Sequence, residues 1–265
     1  MTVRRAVPAE VRAYGSKVAA NLHAVLGDAL HGVYFVGSIA LGGYVAGESD
    51  IDMVAVSEHA IVDQMKPQLA AAVYDTTKSC PTRGLEFTLY RRAVARSTPV
   101  AADFEINVNG GPRMARDIHL DPRSEPPFWY VLDRAIAHRC GVEIAGPPPA
   151  DVFADVSREA LLDAMIQSMR WHREHEKTAL YSVLNACRAW RFAAEDVMGS
   201  KLEGAAWARE RWPSTWVIDA AVDLRHGRQA TLDPAEVNAL LDHVESTLVA
   251  NSADRYRPSD QPPST

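Results

Sequence analysis

Apolar positions at Val11, Tyr14, Val18, Leu22, Val25 and Leu26 recur every three to four residues, so Glu10 to Asp28 predicts an amphipathic helix. The period then changes. Gly32-Val33-Tyr34-Phe35-Val36 is a short β-branched and aromatic run, the pattern of a buried strand. Asp50 to Val56 starts by alternating and ends apolar, predicting a second strand. Leu85 to Tyr90 alternates cleanly, as does Phe104 to Asn109, which stops at the turn signal Gly110-Gly111-Pro112. Between the second and third strands, Ile61 to Val73 has helical periodicity.

The second half loses the strand signal. Gly146-Pro147-Pro148-Pro149 is a rigid break, and a boundary there separates residues 1–150 from 151–250. Leu161, Leu162, Met165, Met169 and His172 follow one helix face. Ala179 to Met198 predicts another helix, stopped by Gly199. Ser200-Lys201-Leu202-Glu203 has the form of a capping box and opens a third. Asp233-Pro234-Ala235-Glu236 supplies an N-cap and a first-turn proline for a last helix to about Val249. Trp190, Trp207, Trp212 and Trp216 are expected in the helical core. Residues 251–265 are polar with Pro258, Pro262 and Pro263 and predict a disordered tail. The fold class is therefore α+β: a mixed sheet flanked by helices, followed by an all-helical domain.

Composition narrows the class. The 265 residues are 47% hydrophobic and 23% charged, enough apolar material for a core without metal clips or disulfides. Asp and Glu (34) outnumber Lys and Arg (28), a net charge of −6. That disfavours a nucleic-acid partner, which requires a basic face, and suits a small cationic one. Cys80, Cys140 and Cys187 are odd in number and widely spaced, with neither a disulfide framework nor a metal knuckle. Arg4-Arg5 is followed by no apolar signal core, and no apolar run nears the ~20 residues that span a bilayer. The expectation is a cytoplasmic chain without a membrane partner, monomeric rather than oligomeric.

The candidate chemistry lies in Phe35-Val36-Gly37-Ser38 and, after eleven intervening residues, Asp50-Ile51-Asp52. Residues i and i+2 of a strand project from one face, so Asp50 and Asp52 stand together with Ile51 turned to the core. Adjacent carboxylates repel, and a cation between them relieves the repulsion. Oxygen-only ligands suit Mg²⁺, which combines one or two carboxylates with substrate phosphates. Gly37 lets backbone approach a phosphate, and the Ser38 hydroxyl adds a donor. An Asp-x-Asp alone is often just an exposed strand face; the combination with a Gly-Ser turn is more specific. Glu86, opposite in facing to Leu85, Phe87 and Leu89, reaches the same cation if its strand lies beside that of Asp52. It is the candidate base for the acceptor's proton.

Gly37-Ser38 with Asp50-Ile51-Asp52 resembles the motif of the nucleotidyltransferase superfamily that includes DNA polymerase β. Within it, the chain resembles the aminoglycoside adenylyltransferases that modify streptomycin and spectinomycin. Ser49, Leu85-Glu86-Phe87-Thr88, Gly146-Pro147, and Arg188, Trp190, Gly199, Lys201, Trp207, Glu210 and Arg211 fall at matching spacings. The resemblance implies that Asp50, Asp52 and Glu86 hold Mg²⁺, with Glu86 as catalytic base. It implies that Ser38 and Ser49 contact ATP phosphates, and that Arg188 and Lys201 reach the nucleotide from the helical domain, across a cleft between the domains. An Arg fork and a Lys point charge both suit a triphosphate.

The chain departs from the family where a tryptophan is missing from Asn107 to Gly111 and where Thr178 replaces an acid. Glu174 and Glu176, just before Thr178, are candidate replacements. Glu105, Asn107 and Asn109 share a strand face and are candidates to line the acceptor pocket, the alternative being a polar edge strand. Trp171 to Lys177 is rich in metal-capable groups, but it lacks the His-Glu-x-x-His spacing and matches a solvated helix end. The resulting expectation is Mg²⁺-dependent transfer of AMP from ATP to an aminoglycoside hydroxyl with release of pyrophosphate. The alternatives are another hydroxyl acceptor, or a nucleotide-binding regulator without catalysis.

Overall fold

A computed structural model describes residues 6–98, 101–176 and 178–253. The chain divides into two compact units, Met1–Ser157 and Arg158–Thr265. The expected break at 150 falls inside a helical turn instead. That turn and the residues after it belong to the first unit because they are tied to it: His138 Nδ1 donates to the Phe153 carbonyl at 2.7 Å, Arg139 pairs with Asp155 at 3.1 Å, and Phe153 meets Tyr34 edge to face.

The first unit runs α1 (Ala9–Leu26), β1 (Leu30–Phe35), α2 (Gly37–Ala40), β2 (Ile51–Ser57), α3 (Lys66–Thr77), β3 (Leu85–Arg91), α4 (Arg92–Ala95), β4 (Ile106–Gly111), β5 (Met114–His119), α5 (Pro127–Cys140), β6 (Val142–Ala145) and α6 (Pro149–Val152). The strands form one sheet in the order β5-β4-β3-β2-β1-β6. β2 and β3 are parallel neighbours, and the other adjacent pairs are antiparallel. A parallel pair needs a crossover, and α3 supplies it. One edge strand is β6, four residues long and followed by Gly146-Pro147-Pro148; the other is β5, with Arg116 and Asp117 exposed.

The two sheet faces differ. Val33, Phe35, Ile51, Met53, Ala55, Leu85, Phe87, Leu89, Ile106 and Val108 point into a core closed by Val11, Val18 and Leu22 of α1 and Leu69 and Val73 of α3. α1 reaches the sheet because Gly15 has no side chain; a Cβ there would lie 2.4 Å from the Phe35 ring. The opposite face carries Asp52, Glu86, Thr88, Tyr90, Asn107 and Asn109, since successive strand residues alternate. α5 packs on this face, with the fully buried Arg134 guanidinium over the Tyr90 ring.

The second unit contains α7 (Arg158–His175), α8 (Leu180–Glu195), α9 (Lys201–Arg209), α10 (Trp216–Arg225) and α11 (Pro234–Ala253). α8 is its axis, with Val183, Leu184, Ala186, Cys187, Ala189, Phe192 and Ala193 buried. α9 lies tightly on α8 at Gly204, where a Cβ would come within 2.6 Å of the Arg188 Cα. The capping box of α9 forms as the sequence implies, Ser200 Oγ accepting from Glu203 N and Glu203 accepting from Ser200 N. Asp233 likewise caps α11 through the Ala235 and Glu236 N–H groups.

Three expectations are corrected. α8 ends at Asp196, whose left-handed backbone (φ 55°) breaks the helix before Gly199 is reached. α11 continues through Ala253 rather than giving way at Asn251, whose amide donates to the Thr247 carbonyl; the remainder of the expected tail, 254–265, lies outside the described residues. Trp190 packs edge to face on Trp207 and Trp212, but Trp216 is 67% exposed and is no core residue. The three cysteines are free thiols. No helix among the described residues is long and apolar enough to cross a membrane.

Candidate active site

The parallel register sets Asp52 directly beside Glu86, and Glu86 beside Asn109 on β4. Neighbouring strands are ~4.8 Å apart, so these side chains form one polar row across the sheet. Asp50 stands just before β2, close enough to the Glu86 carboxyl to raise its pKa. Two carboxylates this close repel unless one carries a proton or a cation sits between them. Arg83 offers Asp50 a cation at 3.7 Å. Glu86 is exposed by surface area, yet protein crowds around it and removes much of its solvation. That crowding, with repulsion from Asp52, Asp50 and Asp133, pushes its pKa well above the usual carboxylate range.

Gly37 is required twice at this site. Its backbone is left-handed (φ 51°), and a Cβ would lie 1.9 Å from Asp52 Oδ2. The next residue holds that carboxylate, Ser38 N donating to Asp52 Oδ2 at 3.2 Å. The Ser38 hydroxyl is buried and has no hydrogen-bond partner among the described residues. A buried hydroxyl left unpaired is costly, and a ligand oxygen would satisfy it.

Among the described residues, no three His, Cys, Asp or Glu side chains close into a ready metal cage. Asp50, Asp52 and Glu86 nonetheless make an all-oxygen set whose mutual repulsion a hard cation would relieve, so the residues fit Mg²⁺.

Other expected residues sit elsewhere. Ser49 is 5% exposed; its Oγ accepts from Val45 N and its carbonyl accepts from Thr82, which leaves only the hydroxyl proton to offer a phosphate. Glu105 does not line an acceptor pocket. It is 2% exposed and pairs with Arg91 at 3.1 Å and Lys66 at 3.4 Å while accepting from Ile61 N. Asn107 is also corrected: its amide donates to Thr88 Oγ1 and accepts from Asn109, both at 3.0 Å.

Within the second unit, Glu176 is no substrate acid. Its carboxylate caps the start of α8, accepting from Tyr181 N, Ser182 N and Ser182 Oγ at 2.6–2.7 Å. Glu174 is exposed on α7. Arg188 donates to Asn185 Oδ1 at 3.3 Å, and the Lys201 ammonium lies 4.5 Å from the Tyr181 ring centre.

Sequence reasoning missed Asp133 and Arg83. Asp133 stands on α5, whose Phe128, Leu132, Ala135 and Ile136 do carry a helical period. Arg83 follows the second Asp by thirty-one residues, and only the β2–β3 pairing brings it to Asp50.

Residues 151–247 match the family model of the aminoglycoside adenylyltransferase C-terminal domain. The match spans most of the second unit and the last residues of the first. No curated protein matches its sequence. The fold of the chain resembles that of the spectinomycin adenyltransferase AAD(9) from Enterococcus faecialis, whose crystal structure contains ATP and spectinomycin. The TM-score is 0.68 at 17% identity, over 89% of this chain and 98% of that one. The family model thus covers the helical unit, and the fold likeness extends over most of the chain.

Proposed function

We propose that the chain moves AMP from ATP to a hydroxyl of spectinomycin or a related aminoglycoside antibiotic and releases pyrophosphate, with Mg²⁺ bound by Asp50, Asp52 and Glu86. The observation that carries the reading is the row of Asp52 and Glu86 on paired strands, with Asp50 beside Glu86 and Gly37-Ser38 pressed against Asp52. The crystal structure of the similar protein AAD(9) with ATP and spectinomycin supports this choice of co-substrate and acceptor.

In this reading the Ser38 hydroxyl donates to a phosphate oxygen, the Ser49 proton gives a second bond, and Arg188 and Lys201 supply the cations for the triphosphate. Mg²⁺ would neutralise charge on the phosphates as the bond to the leaving group breaks. Glu86 takes the proton of the acceptor hydroxyl. The crowding that raises its pKa makes it a stronger base than an ordinary surface glutamate. The acceptor oxygen attacks the α-phosphorus, the bond from that phosphorus to the β-phosphate bridging oxygen breaks, and pyrophosphate leaves in line. Asp133 beside Glu86, and Glu174 in the second unit, offer carboxylates to the acceptor's ammonium groups.

The test is mass spectrometry of spectinomycin, streptomycin and other aminoglycosides after incubation with the chain, ATP and Mg²⁺. A gain of one adenylyl group with stoichiometric pyrophosphate is the expected result. ATP binding without any modified acceptor across the panel would overturn it.

A further inference from the structure

The second unit holds a buried histidine that the reaction does not use. His172 on α7 is 9% exposed. Its Nδ1 lies 2.8 Å from the Ser168 carbonyl, one turn earlier, and its Nε2 lies 3.1 Å from Asn185 Nδ2 on α8. A carbonyl only accepts, so Nδ1 carries the ring proton. The neutral ring then presents a lone pair at Nε2, which the Asn185 amide N–H fills. That fixes which way the amide faces: its oxygen points to the Arg188 guanidinium, 3.3 Å away.

We propose that His172 is a positioning residue, holding Arg188 for the nucleotide through the Asn185 amide; this rests on the reading of Arg188 as a triphosphate-binding cation. An arginine fork discriminates by direction as well as charge, so an oriented guanidinium binds phosphate better than one free to rotate. Burial and the facing cations Lys201 on α9 and Arg188 on α8 hold the imidazole below its usual pKa, against the opposing pulls of the Ser168 carbonyl and of Glu176 just past the end of α7. A proton on Nε2 would set two donors against each other. The amide would then turn, its NH₂ would face the guanidinium, and Arg188 would lose the Asn185 oxygen as an acceptor.

The test is calorimetric binding of ATP with saturating Mg²⁺ to the full chain. His172→Leu fills the space but offers no acceptor, and its ATP affinity is expected to fall about 5- to 10-fold, the worth of one hydrogen bond. His172→Gln, whose side-chain oxygen can stand where Nε2 stands, is expected to stay within about 2-fold of wild type. Arg188→Ala lowers affinity at least as far as His172→Leu, and adding His172→Leu to it costs little more. As pH is lowered below the ordinary histidine value of about 6.5, wild-type affinity falls relative to His172→Gln when the imidazole protonates.

Affinity that strengthens in acid relative to His172→Gln would mean that His172 acts as one more cation, and the inference fails. It also fails if both His172 variants bind like wild type while Arg188→Ala binds weakly. Wild-type binding by Arg188→Ala instead removes the reading of Arg188 itself. If His172→Leu does not fold, the pH comparison between wild type and His172→Gln decides.

Discussion

Glu86 and Glu105 are both carboxyl groups of the first unit, and their surroundings are opposite. Glu105 is the more deeply buried, yet two cations and a backbone N–H satisfy it. Glu86 is open at its surface and faces Asp50, Asp52 and Asp133. A carboxylate wrapped in partners stabilises the fold and is chemically quiet. One held among like charges costs stability and is ready to take a proton or a cation. Burial alone would have ranked the two the wrong way round for function.

The sharpest way to break this contrast is Glu86→Gln. Adenylyl transfer, read as pyrophosphate release with ATP, Mg²⁺ and spectinomycin, should fall by ~10³-fold, the scale of a lost general base. A folded pKa above the unfolded one means that the ionised Glu86 destabilises the native state near neutrality, so the same variant should melt higher at pH 7. Unchanged turnover would reject the role.

Gly37→Ala comes next. Its Cβ must displace the Asp52 carboxylate, and transfer should drop by ~10²-fold, about 2.7 kcal/mol, while circular dichroism stays native. Glu105→Ala should do the reverse. Breaking a buried pair costs ~3–5 kcal/mol, and the partly exposed Arg91 reduces that to about 2, a melting point lower by about 5 °C with kcat unchanged well below the transition. A loss of kcat at full folding would restore Glu105 to the site.

Ser38→Ala should weaken ATP binding about 5-fold without lowering the melting temperature, because it removes an unpaired buried hydroxyl. The smallest effect concerns pH. His172 has a folded pKa below its unfolded value of about 6.5, so the unfolded chain binds the proton first, and stability should fall as pH drops through that value, by up to ~1 kcal/mol. His172→Gln should flatten that slope in chemical denaturation.

The apolar runs of β1 and β2 and the alternation of β3 made those strands legible, and with them the Gly-Ser turn and the three acids. β5 was not legible, because Met114 to His119 is an edge strand with little core-facing surface to leave an apolar imprint. α5 was hidden by Pro126-Pro127, which look like a loop, and by the charged Arg134 at a buried position. The expectation that large aromatics are buried misled at Trp216, where packing leaves the ring in solvent. Alternation grouped Glu105 with Asn107 and Asn109, but it stands just before β4, and the pattern holds no sign that Lys66 and Arg91 converge on it. Likewise Glu176 could be seen as an acid near a helix start, but not as that helix's cap.

The two margins of the sheet have a consequence for the company the protein keeps. A foreign strand that tried to lengthen the sheet beyond β6 would find four residues of ladder and then prolines with no N–H to give. On the far side it would have to seat itself among the charges of Arg116 and Asp117. Strand-by-strand polymerisation is thus obstructed at both borders, a safeguard written into a part of the chain that performs no chemistry.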